Sequence, residues 1–183
     1  MKKKVNNALY ATTISIGASR PKQMIWYLVN IFFFKNSLNI FSGLKVSLLR
    51  MFGAKMGLGI VIKPSVNIKY PWKLEIGDYC WIGEDVWIDN LSNIVMGQSV
   101  TISQGALILT GSHDYTRESF DFLSKSIVLE EGTWIGACAI VVGGVVCKSH
   151  SVLGAGSIAI KDLQPYTIYH GNPAIAILTR NIT

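Results

Sequence analysis

The sequence predicts an all-β solenoid, in which short strands wind around a three-sided prism, with amphipathic helices before it. The first observation is an aliphatic side chain that recurs every six residues. A glycine directly follows many of these positions, and a small or β-branched residue stands four places on. The repeated positions are Ile62, Ile68, Ile76, Ile82, Ile88, Met96, Ile102, Ile108, Leu129, Ile135, Val141, Cys147, Leu153 and Ala159.

A period of six excludes the ordinary elements. An α-helix places apolar residues about 3.6 apart, and an amphipathic strand places them two apart. Six residues supply one short strand and one turn, so three repeats complete a triangular coil whose aliphatic residues stack in columns inside the prism. Each coil needs neighbours to bury its face, which makes the array a solenoid. We expect the small residue to fit the tight corner and the glycine to relieve the backbone there.

The repeat is interrupted at defined places. The steps from Ile68 to Ile76 and from Ile88 to Met96 are eight residues long, so each adds a two-residue bulge. Residues 114–126 leave the repeat altogether as a polar loop with aromatic side chains. We therefore expect three parts: an N-terminal helical segment over 1–58, the β-helix with its excursion loop over 59–163, and a C-terminal capping segment over 164–183.

The N-terminal segment is apolar and amphipathic. Residues 24–34 are almost wholly apolar, but the run stops at Lys35, short of the roughly 20 residues that a membrane-spanning helix needs. A second stretch places Phe41, Leu44, Leu48, Leu49 and Phe52 on one helical face. Two interpretations stay open: helices packed over one end of the solenoid or into a subunit interface, or peripheral contact of residues 22–52 with the inner face of a membrane.

Composition narrows the class of protein. Half of the residues are hydrophobic and 15% are charged, which excludes a disordered chain. A net charge of +6 suits an anionic ligand or surface, although no motif indicates nucleic acid. Cys80, Cys138 and Cys147 form an odd set without CxxC spacing, so we expect reduced thiols, no zinc site and a cytoplasmic location without a cleaved signal.

His113 is the strongest candidate for chemistry. It ends the rung that begins at Ile108, where the repeat stops and the loop leaves. A histidine at the root of such a loop lies at a groove edge, and its imidazole can take up a proton near neutral pH. The alternative is a surface histidine without a role. His150 falls mid-rung and His170 precedes the turn 171–174, so structural roles are favoured for both.

The rungs resemble those of the hexapeptide-repeat acyltransferases. Stretches 76–88, 102–105, 110–115, 132–136 and 171–174 are most similar to the colanic acid biosynthesis acetyltransferase group, relatives of the maltose and nodulation acetyltransferases. The resemblance covers residues from about 40 to 178. It implies a left-handed coil, acetyl-CoA as donor, no metal, and a homotrimer with a groove between subunits. It also implies direct acetyl transfer to a hydroxyl, on a sugar of an exopolysaccharide or cell-surface glycan.

The same resemblance implies roles for individual residues. His113 is the expected general base. Asp85, Asp89, Asn90 and Ser112 are expected to bind the acceptor, although Gly83 stands where the maltose-type enzymes have an asparagine. The donor is expected along Trp134, Gly136, Ala137 and Ala155, with Ile160, Lys161 and Arg180 near the nucleotide end. Ile160 replaces a threonine of the relatives, and Arg180 is expected to substitute for their tail arginines.

Three alternatives remain at this point. The acceptor could be an amine or a serine-like alcohol. A γ-type carbonic anhydrase shares such a solenoid but needs three histidines converging on zinc, and His113, His150 and His170 are the only histidines in the chain. A non-catalytic solenoid would show regular outward threonine columns and no loop bearing a histidine.

Overall fold

Three parallel sheets form the sides of a prism in the computed structural model, which describes residues 3–12 and 14–183. Face A contains β1 (Lys55–Met56), β4 (Leu74–Ile76), β7 (Ile94–Met96), β12 (Ile127–Leu129) and β15 (Val146–Cys147). Face B contains β2 (Val61–Ile62), β5 (Trp81–Ile82), β8 (Thr101–Ile102), β13 (Trp134–Ile135), β16 (Val152–Leu153), β18 (Thr167–Gly171) and β19 (Ala174–Thr179). Face C contains β3 (Asn67–Ile68), β6 (Trp87–Asp89), β9 (Leu107–Leu109), β14 (Ile140–Val142) and β17 (Ile158–Ala159).

The chain visits faces A, B and C in turn, and every coil stacks on the next in register. On face B, Ile82 pairs with Ile62 and with Ile102, and Ile135 continues the same column. These side chains are buried, as are the other aliphatic residues of the period-six series. The predicted parallel β-helix is therefore confirmed, with about six turns.

Two of the three corners have one repeating turn. At the corner between faces A and B, a left-handed residue recurs at Gly59, Tyr79, Ser99, Gly132, His150 and Tyr166. At the corner between faces B and C, it recurs at Ser65, Asp85, Gly105, Cys138 and Gly156. The residue after each turn is small or β-branched, as predicted, and it is buried everywhere except at Thr167. The third corner, between faces C and A, has no such regular turn and carries every insertion.

The glycines that follow the aliphatic positions have a different role from the one expected. Gly97 and Gly136 are not left-handed, so conformational freedom does not explain them. A Cβ on Gly97 would lie 2.7 Å from the amide nitrogen of Glu131, and one on Gly136 would lie 2.6 Å from that of Ala155. Glycine is required because the backbone of the next coil passes directly over these positions.

Two helices close the first coil. Helix α1 (Arg20–Val29) runs directly into a π-helical turn (Asn30–Phe34), and α2 (Ser42–Met51) follows. Trp26, Phe34 and Leu49 are buried against the interior of the first coil. Short 3-10 helices occupy Asn7–Leu9 and Pro71–Lys73. Within residues 3–12 and 14–183, no helix combines the length and apolarity needed to cross a membrane.

Polar side chains of these helices form hydrogen bonds with the unpaired polar groups at the open edge of the first coil. The Asn30 amide donates to the Asn67 side chain over 2.7 Å, and the Trp26 indole donates to the Ile68 carbonyl over 3.0 Å. The Lys45 ammonium is buried and donates to the carbonyl oxygens of Lys63, at 2.7 Å, and Ile62, at 3.4 Å. Burial lowers the pKa of Lys45. An unpaired strand edge leaves a row of such groups exposed, so these contacts terminate the sheet.

The buried side of α2 matches the predicted apolar stripe only in part, since Leu49 is buried and Leu48 and Phe52 pack against the core. Lys45, Val46 and Leu49 face the prism, whereas Phe41 and Leu44 are exposed. Lys45 also lies on the buried side, because the free carbonyls of the first coil accept hydrogen bonds from its ammonium.

The other end of the prism is closed by a hairpin. Strand β18 adds to β16 in parallel, and β19 then returns antiparallel to β18. The imidazole of His170 lies over Gly154, where a Cβ would collide with the ring. This position gives His170 a packing contact with the last coil.

We predict that Lys45→Met destabilises the protein by about 1–3 kcal/mol, because the Lys63 carbonyl loses its side-chain donor and the Ile62 carbonyl keeps only the Ser42 hydroxyl, while an aliphatic chain is kept. Urea unfolding measures the loss. Lys55→Met is the matched control, since its exposed ammonium contacts only the half-exposed Glu75, and should change stability by less than about 0.5 kcal/mol. Equal effects of the two substitutions would contradict the capping role of Lys45.

Candidate active site

The excursion at the corner between faces C and A is a β-hairpin. Strand β10 (Gly111–His113) pairs antiparallel with β11 (Phe122–Ser124), and His113 lies opposite Phe122. The predicted loop over 114–126 therefore forms the tip and return strand of a hairpin that begins at residue 111. The hairpin is anchored to the coil below, because the Ser124 hydroxyl donates to the Ser92 hydroxyl over 2.7 Å.

His113 is held on three sides by aromatic rings and a carbonyl. Its ring stacks on Phe120 with centroids 4.4 Å apart and meets Phe122 edge-on at 5.2 Å. Its Nδ1 lies 3.1 Å from the carbonyl oxygen of Phe120. Because a carbonyl only accepts hydrogen bonds, Nδ1 carries the proton in the neutral imidazole. Nε2 is then left with a free lone pair, which is the form that a general base requires.

A cavity of about 330 Å³ opens beside His113. It falls within the size range of small-molecule sites. Its lining includes five hydroxyl-bearing residues, of which Ser112, Tyr115 and Thr116 are exposed. The lining residues are Thr110, Ser112, His113, Asp114, Tyr115, Thr116, Leu123, Ser124, Lys125 and Gly143.

The hairpin tip carries a fixed negative charge. Hydrogen bonds from Thr116 hold the pKa of the Asp114 carboxyl below its ordinary value, and the nearby Arg117 acts in the same direction. Arg117 pairs with Asp114 at 3.2 Å and with Asp121 at 3.5 Å. These pairs tie the two sides of the tip together and keep Asp114 ionised next to His113.

An N-terminal arm, residues 3–12, lies along the hairpin. The amide of Asn6 donates to the carbonyl of Glu118 over 2.8 Å, and the amide of Ala11 donates to the Asp121 carboxylate over 3.3 Å. These contacts bring the ring of Tyr10 to 6.1 Å from that of His113. Sequence reasoning missed Tyr10, because no repeat or motif connects the arm to the hairpin.

The expected acceptor residues separate in the structure. Ser112 adjoins His113 in the cavity. Asp89 lies one coil below, and its carboxylate pairs with Lys69 at 2.8 Å. Asp85 is an exposed, left-handed residue at the corner between faces B and C, away from His113.

Asn90 is a correction to the expected acceptor set. Its side chain is fully buried, accepts from the Tyr70 amide over 2.9 Å and donates to the Tyr70 carbonyl over 2.6 Å. Both ends of the amide are thus occupied by the backbone of the preceding coil. Asn90 replaces the sheet pairing that the bulge at this corner breaks, and it does not line the cavity.

The expected donor residues lie at three places. Trp134 projects from face B and is 46% exposed, and its indole donates to the Ser103 hydroxyl over 2.9 Å. Trp134 and Arg180 both line a cavity of about 440 Å³ on face B. The Arg180 guanidinium donates to the carbonyls of Gly132 and His150, at 2.8 and 3.2 Å. The tail arginine therefore folds back over face B, and its guanidinium is partly occupied.

Gly136, Ala137 and Ala155 occupy the corner between faces B and C in consecutive coils, where the Gly156 amide donates to the Ala137 carbonyl over 2.8 Å. Ile160 and Lys161 follow β17 and are exposed at the corner between faces C and A. The structure thus brings Trp134 together with Arg180, and Ala137 together with Ala155. Lys161 stays apart from Arg180.

The two ends of this candidate site lie on opposite sides of one chain. His113 stands at the corner between faces C and A, which in a three-sided prism is opposite face B. Trp134 and Arg180 are on face B. A single ligand cannot contact His113 and Trp134 of the same chain, because the filled interior of the prism lies between them.

The three histidines do not converge. His113 belongs to the hairpin, His150 stacks on Tyr166 at the corner between faces A and B, and His170 lies over Gly154. Within residues 3–12 and 14–183, no three His, Cys, Asp or Glu side chains are grouped as metal ligands. The geometry that a zinc site of carbonic anhydrase type requires is therefore not formed within this part of one chain.

Comparison with known proteins gives close relatives. No protein-family model matches the chain. The chain is 38% identical over 164 residues to a protein of Escherichia coli K12 described as a colanic acid biosynthesis acetyltransferase, WcaF, with 90% of each chain covered. It is 28% identical over 134 residues to the galactoside O-acetyltransferase of the same organism, covering 72% of this chain and 66% of the relative.

Solved structures show the same fold. The hexapeptide-repeat acetyltransferase VCA0836 of Vibrio cholerae superposes with a TM-score of 0.79 at 22% identity, covering 91% of this chain and 96% of that one. A second structure of that protein contains acetyl-CoA and superposes with a TM-score of 0.76. The coil is therefore the left-handed β-helix that the sequence resemblance implied.

We predict that Asn90→Ala lowers the free energy of unfolding by about 1–3 kcal/mol, since the Tyr70 amide and carbonyl lose their only side-chain partner in a buried setting. Asp85→Ala, at an exposed corner, should stay within about 0.5 kcal/mol. Denaturant unfolding of both variants checks this. Wild-type stability in Asn90→Ala would contradict the structural role that we assign to its side chain.

Proposed function

We infer the function from the family, because this chain belongs to the colanic acid biosynthesis acetyltransferase family. We propose that it moves an acetyl group from acetyl-CoA to a sugar hydroxyl during synthesis of an exopolysaccharide or cell-surface glycan. The observation that carries the mechanism is the fixed orientation of His113. Its Nδ1 is committed to the Phe120 carbonyl, so Nε2 is free to accept a proton at the edge of the cavity.

The transfer is a direct displacement at the thioester. As the acceptor hydroxyl oxygen attacks the thioester carbonyl carbon, Nε2 of His113 takes the hydroxyl proton. The tetrahedral intermediate then collapses, the carbon–sulfur bond breaks, and the imidazolium returns its proton to the departing sulfur of CoA. No enzyme nucleophile is needed, because the thioester is already activated. The rings of Phe120 and Phe122 keep the imidazole from rotating during the reaction.

A sugar acceptor fits the chemistry of the cavity beside His113. Its hydroxyl-bearing and carboxylate side chains suit a ligand rich in hydroxyl groups, and Ser112, which adjoins His113 in the lining, is our candidate contact for the reacting sugar. Tyr10 is a further candidate contact, because an aromatic ring beside the base can stack on a sugar face. Asp89 lies one coil away, paired with Lys69, and is the more distant candidate.

A second acceptor class follows from the relatives. Serine acetyltransferase 2 of Arabidopsis thaliana is 30% identical over 95 residues, which cover 51% of this chain. A serine-like alcohol or an amine therefore stays as the alternative acceptor. The mechanism at His113 would be the same for both classes.

The separation of His113 from Trp134 within one chain supports a homotrimer with shared sites. We place His113 of one copy opposite Trp134 of the next, with pantetheine along Gly136, Ala137 and Ala155. Arg180, beside Trp134, is the candidate of that copy for the nucleotide end, and Ile160 and Lys161, at the corner that carries His113, are the candidates of the neighbouring copy. Cyclic symmetry repeats the same groove three times. Reduced cysteines and the use of acetyl-CoA are consistent with a cytoplasmic location.

We predict that His113→Ala reduces kcat for acetyl transfer by about 10²–10⁴-fold, because the attacking hydroxyl loses its base. Binding of CoA, measured by calorimetry, and the oligomeric mass should be unchanged. His170→Ala is the matched control, with an exposed imidazole outside the cavity, and should keep turnover. Near-normal turnover in His113→Ala would rule out the mechanism.

We predict that a shared site permits complementation. Trp134→Glu should block the donor groove, and His113→Ala removes the base, so each variant alone is inactive. Every trimer that contains both variants has one groove of three with both native residues, so purified mixed trimers should regain about a third of wild-type activity. The measurement is activity after co-expression and tandem purification. Activity that stays at the sum of the separate variants would contradict a site shared between copies.

The acceptor is tested by CoA release from acetyl-CoA with free sugars, nucleotide sugars, lipid-linked oligosaccharides, serine and simple amines. We expect release with a sugar-containing acceptor and its loss in His113→Ala. Release with serine or an amine alone would replace the sugar with the alternative acceptor class.

A further inference from the structure

Charge is strongly segregated along this chain. The first acidic residue is Glu75, and residues 1–74 contain twelve of the seventeen lysines and arginines. That part of the sequence therefore carries a formal charge of +12. Residues 75–183 contain the other five cations and all eleven acidic residues, a formal charge of −6. The overall charge of +6 conceals a basic segment and an acidic one.

The fold converts this segregation along the sequence into a basic end of the prism. Residues 20–73 form α1, α2 and the first coil at this end, whereas the N-terminal arm with Lys3 and Lys4 lies along the hairpin of the third coil. Among the residues that the structure describes, only Lys55 and Lys69 of this segment pair with a carboxylate. Arg20, Lys35 and Lys63 are exposed without an acidic partner in that part of the chain.

An apolar stripe lies on the outside of the same end. Met24, Tyr27, Leu28, Ile31 and Phe32 follow the helical spacing i, i+3, i+4, i+7, i+8, and they are 36–65% exposed. The opposite side of this helix, with Trp26, Asn30 and Phe34, packs on the first coil. The stripe does not enter the interior of the first coil, and its Met24, Tyr27 and Ile31 border an open groove beside Lys69 and Trp87. It continues into exposed residues before and within α2, namely Leu38, Ile40, Phe41 and Leu44.

We propose that this stripe, Met24 to Phe32 with its basic surroundings, binds the surface of an anionic lipid bilayer. A helix with an exposed apolar face and flanking cations lies in the plane of the interface, with its apolar side chains among the acyl chains. Each lysine or arginine near the surface gains attraction to anionic headgroups. Helix α1 with its π-helical turn covers residues 20–34, which is too short to span the bilayer.

The charge favours lipid over a second copy of this chain. Two copies that met stripe to stripe would bring two basic ends together, and residues 1–74 contain no acidic residue to offset the repulsion. An anionic membrane supplies both missing partners, hydrocarbon for the stripe and negative charge for the cations. In the proposed trimer, the three basic ends lie on the same side, so three stripes contact one membrane together.

Membrane binding would place the proposed chemistry close to lipid. His113 leaves the third coil, and parallel strands stack about 4.8 Å apart, so its rung lies about 10 Å along the prism from the first coil. This position would let a glycan carried on a membrane lipid reach the cavity, an inference that rests on the proposed function. The binding itself requires no acetyl transfer, so either proposal can fail without the other.

The test is co-sedimentation of the full-length protein with vesicles, either of phosphatidylcholine alone or with about one-third phosphatidylglycerol. We expect the protein to pellet with the anionic vesicles, to pellet at least about fivefold less with phosphatidylcholine alone, and to be released by salt. Binding that does not depend on phosphatidylglycerol, or no binding at all, would overturn the proposal.

Two pairs of variants separate the contributions. Met24→Ser with Phe32→Ser should abolish binding, whereas Ile177→Ser with Ile182→Ser, equally exposed at the other end of the chain, should not. Lys35→Glu should weaken binding about fivefold or more, and Lys148→Glu should leave it unchanged. Thermal unfolding, which needs no substrate, verifies that each variant is folded. Vesicle binding that survives in Met24→Ser with Phe32→Ser would overturn the proposal. A change of oligomeric mass in that variant would assign the stripe to a protein interface instead.

Discussion

Every part of this protein depends on the hydrogen bonding of each coil to the next in register. Parallel strands of two or three residues are held only because the strands above and below supply their partners, and the aliphatic columns fill the interior between them. The stacking excludes a side chain wherever one backbone crosses another, as at Gly97 and Gly136. It also forces the same left-handed turn at two corners in every coil.

This constraint determines where a site can form. The chain can leave the stack and return only at a corner, and one corner takes all the insertions because the other two repeat a fixed turn. The hairpin that carries His113 therefore stands at the corner between faces C and A, with one broken pairing below it repaired by Asn90. The opposite face presents Trp134 and Arg180, so the geometry of the prism itself separates the base from the expected donor groove.

The open ends of the stack impose a second requirement. Strand edges expose unpaired carbonyls and amides, and here Asn30, Lys45 and Trp26 cover them at one end while a hairpin covers the other. Because these side chains must reach the strand edge, the helices pack on the prism with the faces that carry them. Their apolar outer stripe then faces outward, within a segment that lacks any acidic residue. One structural requirement thus produces the surface that we assign to a membrane.

The sequence alone determined the solenoid, because a six-residue aliphatic period repeated over fourteen rungs has no other compact solution. It also located His113, since the base stands where the period breaks. It could not show that Asn90 is buried, that Lys45 caps an edge or that Tyr10 lies beside His113. Those contacts join residues between 18 and 103 positions apart. Only the stacking of coils and the path of the N-terminal arm bring these residues together, and neither produces a periodic pattern in the sequence that would predict the contacts.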